Sequence, residues 1–246
     1  MTTTRGALTA LGCLTAALTM AACGPLGGDK AEPASTALAD QPVADIGKKS
    51  VAAMKSASSM TVDLDGVSEG EPMKFHMTMS RTGDCKGDVT VEGGNVRLVK
   101  VGKALYMKGD DAFWKSQGSD GAAAQDFIGD RWMKTKADAP DNKDFIEACD
   151  LNKFLAELEK DADGDLGGKK GKPATLAGTP ALPIVSKDGA ETTTAYVATE
   201  GKPYVLKVVV KGGKEPGTML FSDFDEQAAL SAPAAKDTVD IDKLAG

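Results

Sequence analysis

The residues able to do chemistry are few, and their spacing excludes more than it offers. His76 is the only histidine in 246 residues. Its neighbours Lys74 and Thr78 place it on the wet side of an alternating segment, where a solvated histidine fits better than a catalytic one. Without a second histidine the chain cannot assemble a Ser-His-Asp set, a Cys-His pair or a His-based metal centre. Asp161-Ala162-Asp163-Gly164-Asp165 invites comparison with a calcium loop. An EF-hand needs Gly at its sixth place and Glu at its twelfth, and Leu166 and Lys172 stand there. A solvated acidic loop is the better reading. The run from Gly167 to Lys172 lacks both the Walker spacing and its Ser or Thr, so it reads as a flexible turn. The expectation is a protein that is not an enzyme and takes no cofactor and no metal.

The four cysteines hold what covalent chemistry there is. Cys13 lies in an apolar run in which Arg5 is the only charge and which ends Leu18-Thr19-Met20-Ala21-Ala22-Cys23. A short positive start, a short apolar middle and small residues before a cut site describe an export signal over residues 1–22. The run is near the lower limit for crossing a bilayer. Met20-Ala21-Ala22-Cys23 resembles a bacterial lipobox, with Met20 in place of the usual Leu. The resemblance implies that Cys23 receives a diacylglycerol and becomes the mature N-terminus; an ordinary secretory signal with an incidental cysteine is the alternative. Two or three acyl chains anchor stably, whereas one is marginal. In an oxidising exterior Cys85 and Cys149 are the natural disulfide pair, and two separate buried thiols are the alternative.

Residues 23–42 mix Gly, Pro, Ala, Ser and scattered charges without periodicity, as a disordered tether would. Its root-mean-square reach is roughly 20–25 Å. Loss of Arg5 with the signal makes the net charge of −7 one unit more negative. So acidic a chain is a poor match for nucleic acid. Residues 43–246 suit one β-rich domain.

The elements that must carry any site centre on Pro72–Arg81. There Met73, Phe75, Met77 and Met79 alternate with Lys74, His76, Thr78 and Ser80, a strand with one apolar and one wet face. A methionine-rich face is soft enough to line a cavity, and equally able to fill a core. A weak amphipathic helix over Val43–Met60 precedes it, spacing Ile46, Val51, Met54 and Ala57. Val89/Val91, Val96/Leu98, Val99/Val101 and Leu105/Met107 continue as short strands. Turns are expected at Glu92–Asn95, Val101–Lys103 and Gly109–Asp111. Gly121–Ile128 reads as a short helix with Phe127 and Ile128 inward. Arg131–Lys134 reads as a strand, and Asp141–Lys160 as a helix broken near Asp150 that turns Phe145, Ile146, Cys149, Phe154, Leu155 and Leu158 to one side. Strands return over Ala181–Val185, Thr192–Ala198, Pro203–Val210 and Thr218–Phe224, and Val239–Ile241 suits an edge.

That order, together with Leu105-Tyr106-Met107-Lys108-Gly109 before Phe113-Trp114, Arg131-Trp132-Met133, Ala195-Tyr196-Val197-Ala198, Gly201-Lys202-Pro203-Tyr204 and Phe221-Ser222-Asp223-Phe224, resembles the actinobacterial lipoproteins related to LppX and LprG. The resemblance covers most of Val43 to Leu244. It implies an α+β fold, a strongly curved, open antiparallel half-barrel of LolA type wrapping a few helices, with an acyl-binding cavity between sheet and helices. Met73, Phe75, Met77, Met79, Leu105, Met107, Phe154, Leu155 and Leu158 are the expected lining. A lipid or apolar small molecule and the membrane, through the anchor, are the implied partners, with an envelope transporter or other envelope protein as a further candidate. The expected location is the outer face of the cytoplasmic membrane. A module of the envelope that packs its sheet on its helices and binds no ligand is the alternative.

Overall fold

Alternation in the sequence becomes a 13-stranded sheet because nearly every strand buries one face and wets the other. The computed structural model describes residues 38–91, 93–162, 168–226 and 230–244. The expected signal, Cys23 and most of the expected tether lie outside these residues, as do Glu92 and Asp163–Asp165. A helix α1 (Val43–Ser56) leads into a meander of β1 (Ser59–Ser68), β2 (Glu71–Ser80), β3 (Cys85–Val91), β4 (Gly94–Val101) and β5 (Ala104–Gly109). Helices α2 (Asp111–Ser116) and α3 (Gly118–Ile128) precede β6 (Trp132–Lys136), and α4 (Lys143–Ala148) and α5 (Leu151–Ala162) follow it. Two short strands, β7 (Lys169–Lys170) and β8 (Ala174–Leu176), lead to β9 (Thr179–Asp188), β10 (Glu191–Ala198), β11 (Val205–Lys211) and β12 (Gly217–Ser222). The last strand is β13 (Thr238–Asp240).

The strand order is β13-β6-β5-β4-β3-β2-β1-β12-β11-β10-β9-β7, with β8 also on β9. Pairing is antiparallel except between β13 and β6, which run parallel at the edge where Val239 was expected. The sheet does not close, and α1 and α5 pack on the face that carries Met77. The main cluster joins Met54 of α1, Leu151 and Leu155 of α5 and the strand residues Met60, Val62, Met77, Met79, Leu98, Leu105 and Phe221. A second cluster places Leu38 and Ile46 on Leu182, Ile184 and Val197 of β9 and β10. Leu38 is buried, so the packed part begins before residue 43.

Several local expectations are corrected. Gly109–Asp111 is not a hairpin turn. Asp110 caps α2, its carboxylate accepting from the Phe113 N–H at 2.8 Å, and that bond holds its carboxyl below the usual range. Val96–Val101 lies in one strand, not two. Helix α1 stops at Ser56, and Met60 already sits in β1. Phe127 faces solvent at 54% exposure while Ile128 is buried, because consecutive helical residues point about 100° apart. Gly129 ends α3 at φ 61°, a left-handed geometry that suits glycine.

Candidate functional site

Cross-strand partners share a face of a sheet, so the pairing register divides the helix-bearing face into rows. One row runs Met107, Leu98, Gly87, Met77, Val62, Phe221 across β5, β4, β3, β2, β1 and β12. All six are buried, with Met77 and Leu98 fully so. Met79 sits one rung further along β2 and pairs with Cys85, and both are also fully buried. This end of the face is closed core. The disulfide Cys85–Cys149, with Cα atoms 5.4 Å apart, pins the α4–α5 junction to it.

One rung the other way, the row Val89, Phe75, Leu64, Met219, Val208, Ala195 crosses β3, β2, β1, β12, β11 and β10. Each of these is only half-buried. The row is covered at both ends. Val96, which pairs with Val89, is fully buried, and Ile184, which pairs with Ala195, is buried under the cluster that contains Leu38 and Ile46. A further rung holds Met73, Gly66, Gly217 and Val210. Gly66 and Gly217 face each other so closely that a Cβ on Gly66 would lie 3.0 Å from the Gly217 Cα. The result is an apolar trough with a low floor at the glycine pair. Phe154 and Leu158 of α5 and Phe145 and Ile146 of α4, all half-buried, pack against the same cluster.

The expected lining residues therefore fall into three groups. Met73 and Phe75 are half-buried on the rows of the trough, Phe154 and Leu158 are half-buried against the main cluster with the Phe154 ring 6.3 Å from that of Phe221, and Met77, Met79, Leu105, Met107 and Leu155 are buried in the closed core. Leu64, Val208, Ala195, Met219 and the glycine pair were not among the expected lining residues. The pairing of β1 with β12, 155 residues apart at Leu64 and Met219, brings them to the methionine strand, and no local pattern encodes that contact.

The helices that flank the trough are tied together. Arg81, just after β2, donates from Nε to the Ala57 carbonyl at 2.9 Å and from Nη1 to Asn152 Oδ1 at 2.5 Å, and also to the Lys55 carbonyl. Lys55 of α1 pairs with Glu159 of α5 at 2.8 Å. His76 lies on the opposite, solvent face beside Asp63, as its neighbours implied. Among the described residues no helix is long and apolar enough to cross a membrane.

No family model matches the sequence, and no curated protein matches it. Solved structures do. LprF from Mycobacterium bovis superposes with a TM-score of 0.55 at 10% identity, covering 78% of this chain and 97% of that one. The lipoprotein LppX from Mycobacterium tuberculosis gives 0.49 at 12% identity, covering 80% and 99%. A LolA-superfamily protein from Nitrosomonas europaea gives 0.27 at 7% identity, covering 78% and 94%. This chain shares its fold with LprF, and that fold is the open antiparallel sheet wrapping helices which the sequence resemblance implied.

Proposed function

We propose that this protein is an anchored extracytoplasmic lipoprotein that holds a lipid or other apolar ligand in the trough, with Cys23 as the lipidated residue. The observation that carries the reading is the row from Val89 to Ala195. Six adjacent strands present half-buried, mostly apolar side chains there, next to a row that is buried. Exposed apolar surface that is continuous across neighbouring strands marks a binding site more often than a packing accident. The fold shared with LprF supports this placement. The alternative, an envelope module that binds no ligand, requires the trough to be dry.

The test compares two substitutions that add similar bulk. Val208→Trp adds it to the trough floor and should abolish uptake of a fluorescent acyl probe, with the denaturant midpoint nearly unchanged. Met77→Trp adds it to the closed core and should overpack, costing about 1–3 kcal/mol. A wild type that takes up no probe and yields no lipid on extraction favours the module. Anchoring is tested separately: Cys23→Ala should release the protein from the detergent phase into the aqueous phase, and unchanged partitioning rejects lipidation at Cys23.

A further inference from the structure

The trough has an uncharged interior and one polar end. Among the described residues, neither of its two cross-strand rows holds an ionisable side chain. The row through Met73, Gly66, Gly217 and Val210 continues to Thr193 of β10 and Ser186 of β9. These two residues are direct cross-strand partners, both half-buried, and they lie next to the covered rung of Ala195 and Ile184. The Ser186 hydroxyl has no partner among the described residues. Thr193 Oγ1 reaches Glu191 Oε1 only at 3.5 Å.

One rung nearer the β9–β10 hairpin, Glu191 pairs with Asp188 on the same face. A cavity of about 460 Å³ at this mouth is lined by Asp188, Glu191, Glu215 and Lys214, so three carboxylates stand there with one ammonium. Lys187 and Lys211 both pair with Thr192, which alternation turns to the opposite face. Along β9 and β10 the next side chain beyond each hydroxyl on this face is therefore a carboxylate. The arrangement discriminates by charge. A carboxylate or phosphate brought to Thr193 and Ser186 would leave water beside two like charges, an unfavourable exchange. An ammonium would find its ion pair only at the rim, where such pairs contribute little. A neutral carbonyl accepts from both hydroxyls, while its alkyl chain covers the apolar rows. Five inter-strand steps of roughly 4.8 Å give that chain about 24 Å of row.

We infer that the trough selects uncharged ester lipids: the ester carbonyl accepts from Thr193 and Ser186, and the acyl chain lies along the row from Ala195 to Val89. This rests on the trough being the ligand site and adds the chemical class of its ligand.

Full-length protein loaded with a fluorescent acyl methyl ester should be titrated with methyl laurate, laurate, dodecylamine and dodecane as competitors, at about pH 8, where carboxylate and ammonium are both ionised. Methyl laurate should displace the probe at least tenfold more tightly than laurate or dodecylamine. It should surpass dodecane by roughly three- to tenfold, the worth of ordinary hydrogen bonds. Thr193→Val/Ser186→Ala should remove the advantage over dodecane, and Glu191→Gln/Asp188→Asn should narrow the gap between ester and laurate about tenfold. The inference is overturned if laurate or dodecylamine matches methyl laurate in the wild type, or if the folded hydroxyl variant keeps the ester preference. Should a variant not fold, the wild-type order decides alone. If the wild type takes up neither the probe nor dodecane, the trough binds no lipid, which overturns the proposed function together with this inference. Uptake without preference among the four overturns the ester assignment only.

Discussion

Asp225 accepts from Lys202 Nζ at 2.8 Å, from Tyr204 Oη at 2.7 Å and from the Ser58 N–H at 2.8 Å. These bonds tie the end of β12 to the start of β1 and to the β10–β11 connection, and the Tyr204 ring stacks on Phe224 with centroids 4.0 Å apart. The Lys202 bond, then those from Ser58 and Tyr204, hold the Asp225 carboxyl well below its ordinary 3.8, and the bond to Asp225 raises the Lys202 ammonium above its ordinary value. A carboxyl with a depressed folded pKa stabilises fully above its unfolded pKa, and that stabilisation is lost as pH falls through the folded value. Asp225→Asn should therefore lower the unfolding free energy from denaturant titration at pH 7 by about 1 kcal/mol, a modest figure because the site is exposed. The deficit should persist down to about pH 4 and shrink in stronger acid as the wild-type carboxylate is protonated. A deficit that is the same at pH 7 and in strong acid would falsify the charge-based account. This network was not legible in the sequence. Lys202, Tyr204 and Asp225 are ordinary surface residues there, and Ser58 lies 167 positions from its partner.

At the scale of elements, the disulfide joins β3 to the junction of α4 and α5, and both sulfurs are buried. A separation of 64 residues gives about 4 kcal/mol in the chain-entropy model. Cys85→Ala/Cys149→Ala should therefore melt several degrees earlier or more, and α4 and α5 should be the elements that lose order, since Cys149 caps α4 just before α5 begins. Two free thiols titrating in the native wild type would remove the basis for this expectation. The helical block was readable because its apolar residues recur at helical spacing and Asp150 interrupts it. The methionine strand was readable because its alternation is strict. Helix α2 was missed because Gly109-Asp110-Asp111 carries turn chemistry, and Asx residues serve turns and helix caps equally well. The two β-halves were each visible as strands, but not their junction at β1 and β12, where six residue pairs in register bring the glycines Gly66 and Gly217 face to face.

For the molecule as a whole, the sequence period says which side of a strand is apolar but not how much of that side the helices cover. Here the cover is uneven. α5 and α1 close the rows through Met77 and Met79, and they leave the rows through Phe75 and Met73 half-open. That division is why five of the nine expected lining residues are core. It also has a thermodynamic consequence, because a ligand that binds only the folded chain stabilises it by mass action. Delipidated full-length protein should unfold earlier than protein saturated with the acyl probe. At one hundred times the dissociation constant the difference is about 2.7 kcal/mol. For a chain of this size each kcal/mol is worth roughly 2–4 °C, so the midpoint should rise by about 5–10 °C and keep rising with probe concentration. Val208→Trp separates this from nonspecific stabilisation by detergent-like probes. Its trough is already filled, so it should melt close to delipidated wild type and gain little from the probe. Equal gains in wild type and Val208→Trp would place the probe elsewhere. No gain in either would leave the trough as uncovered sheet.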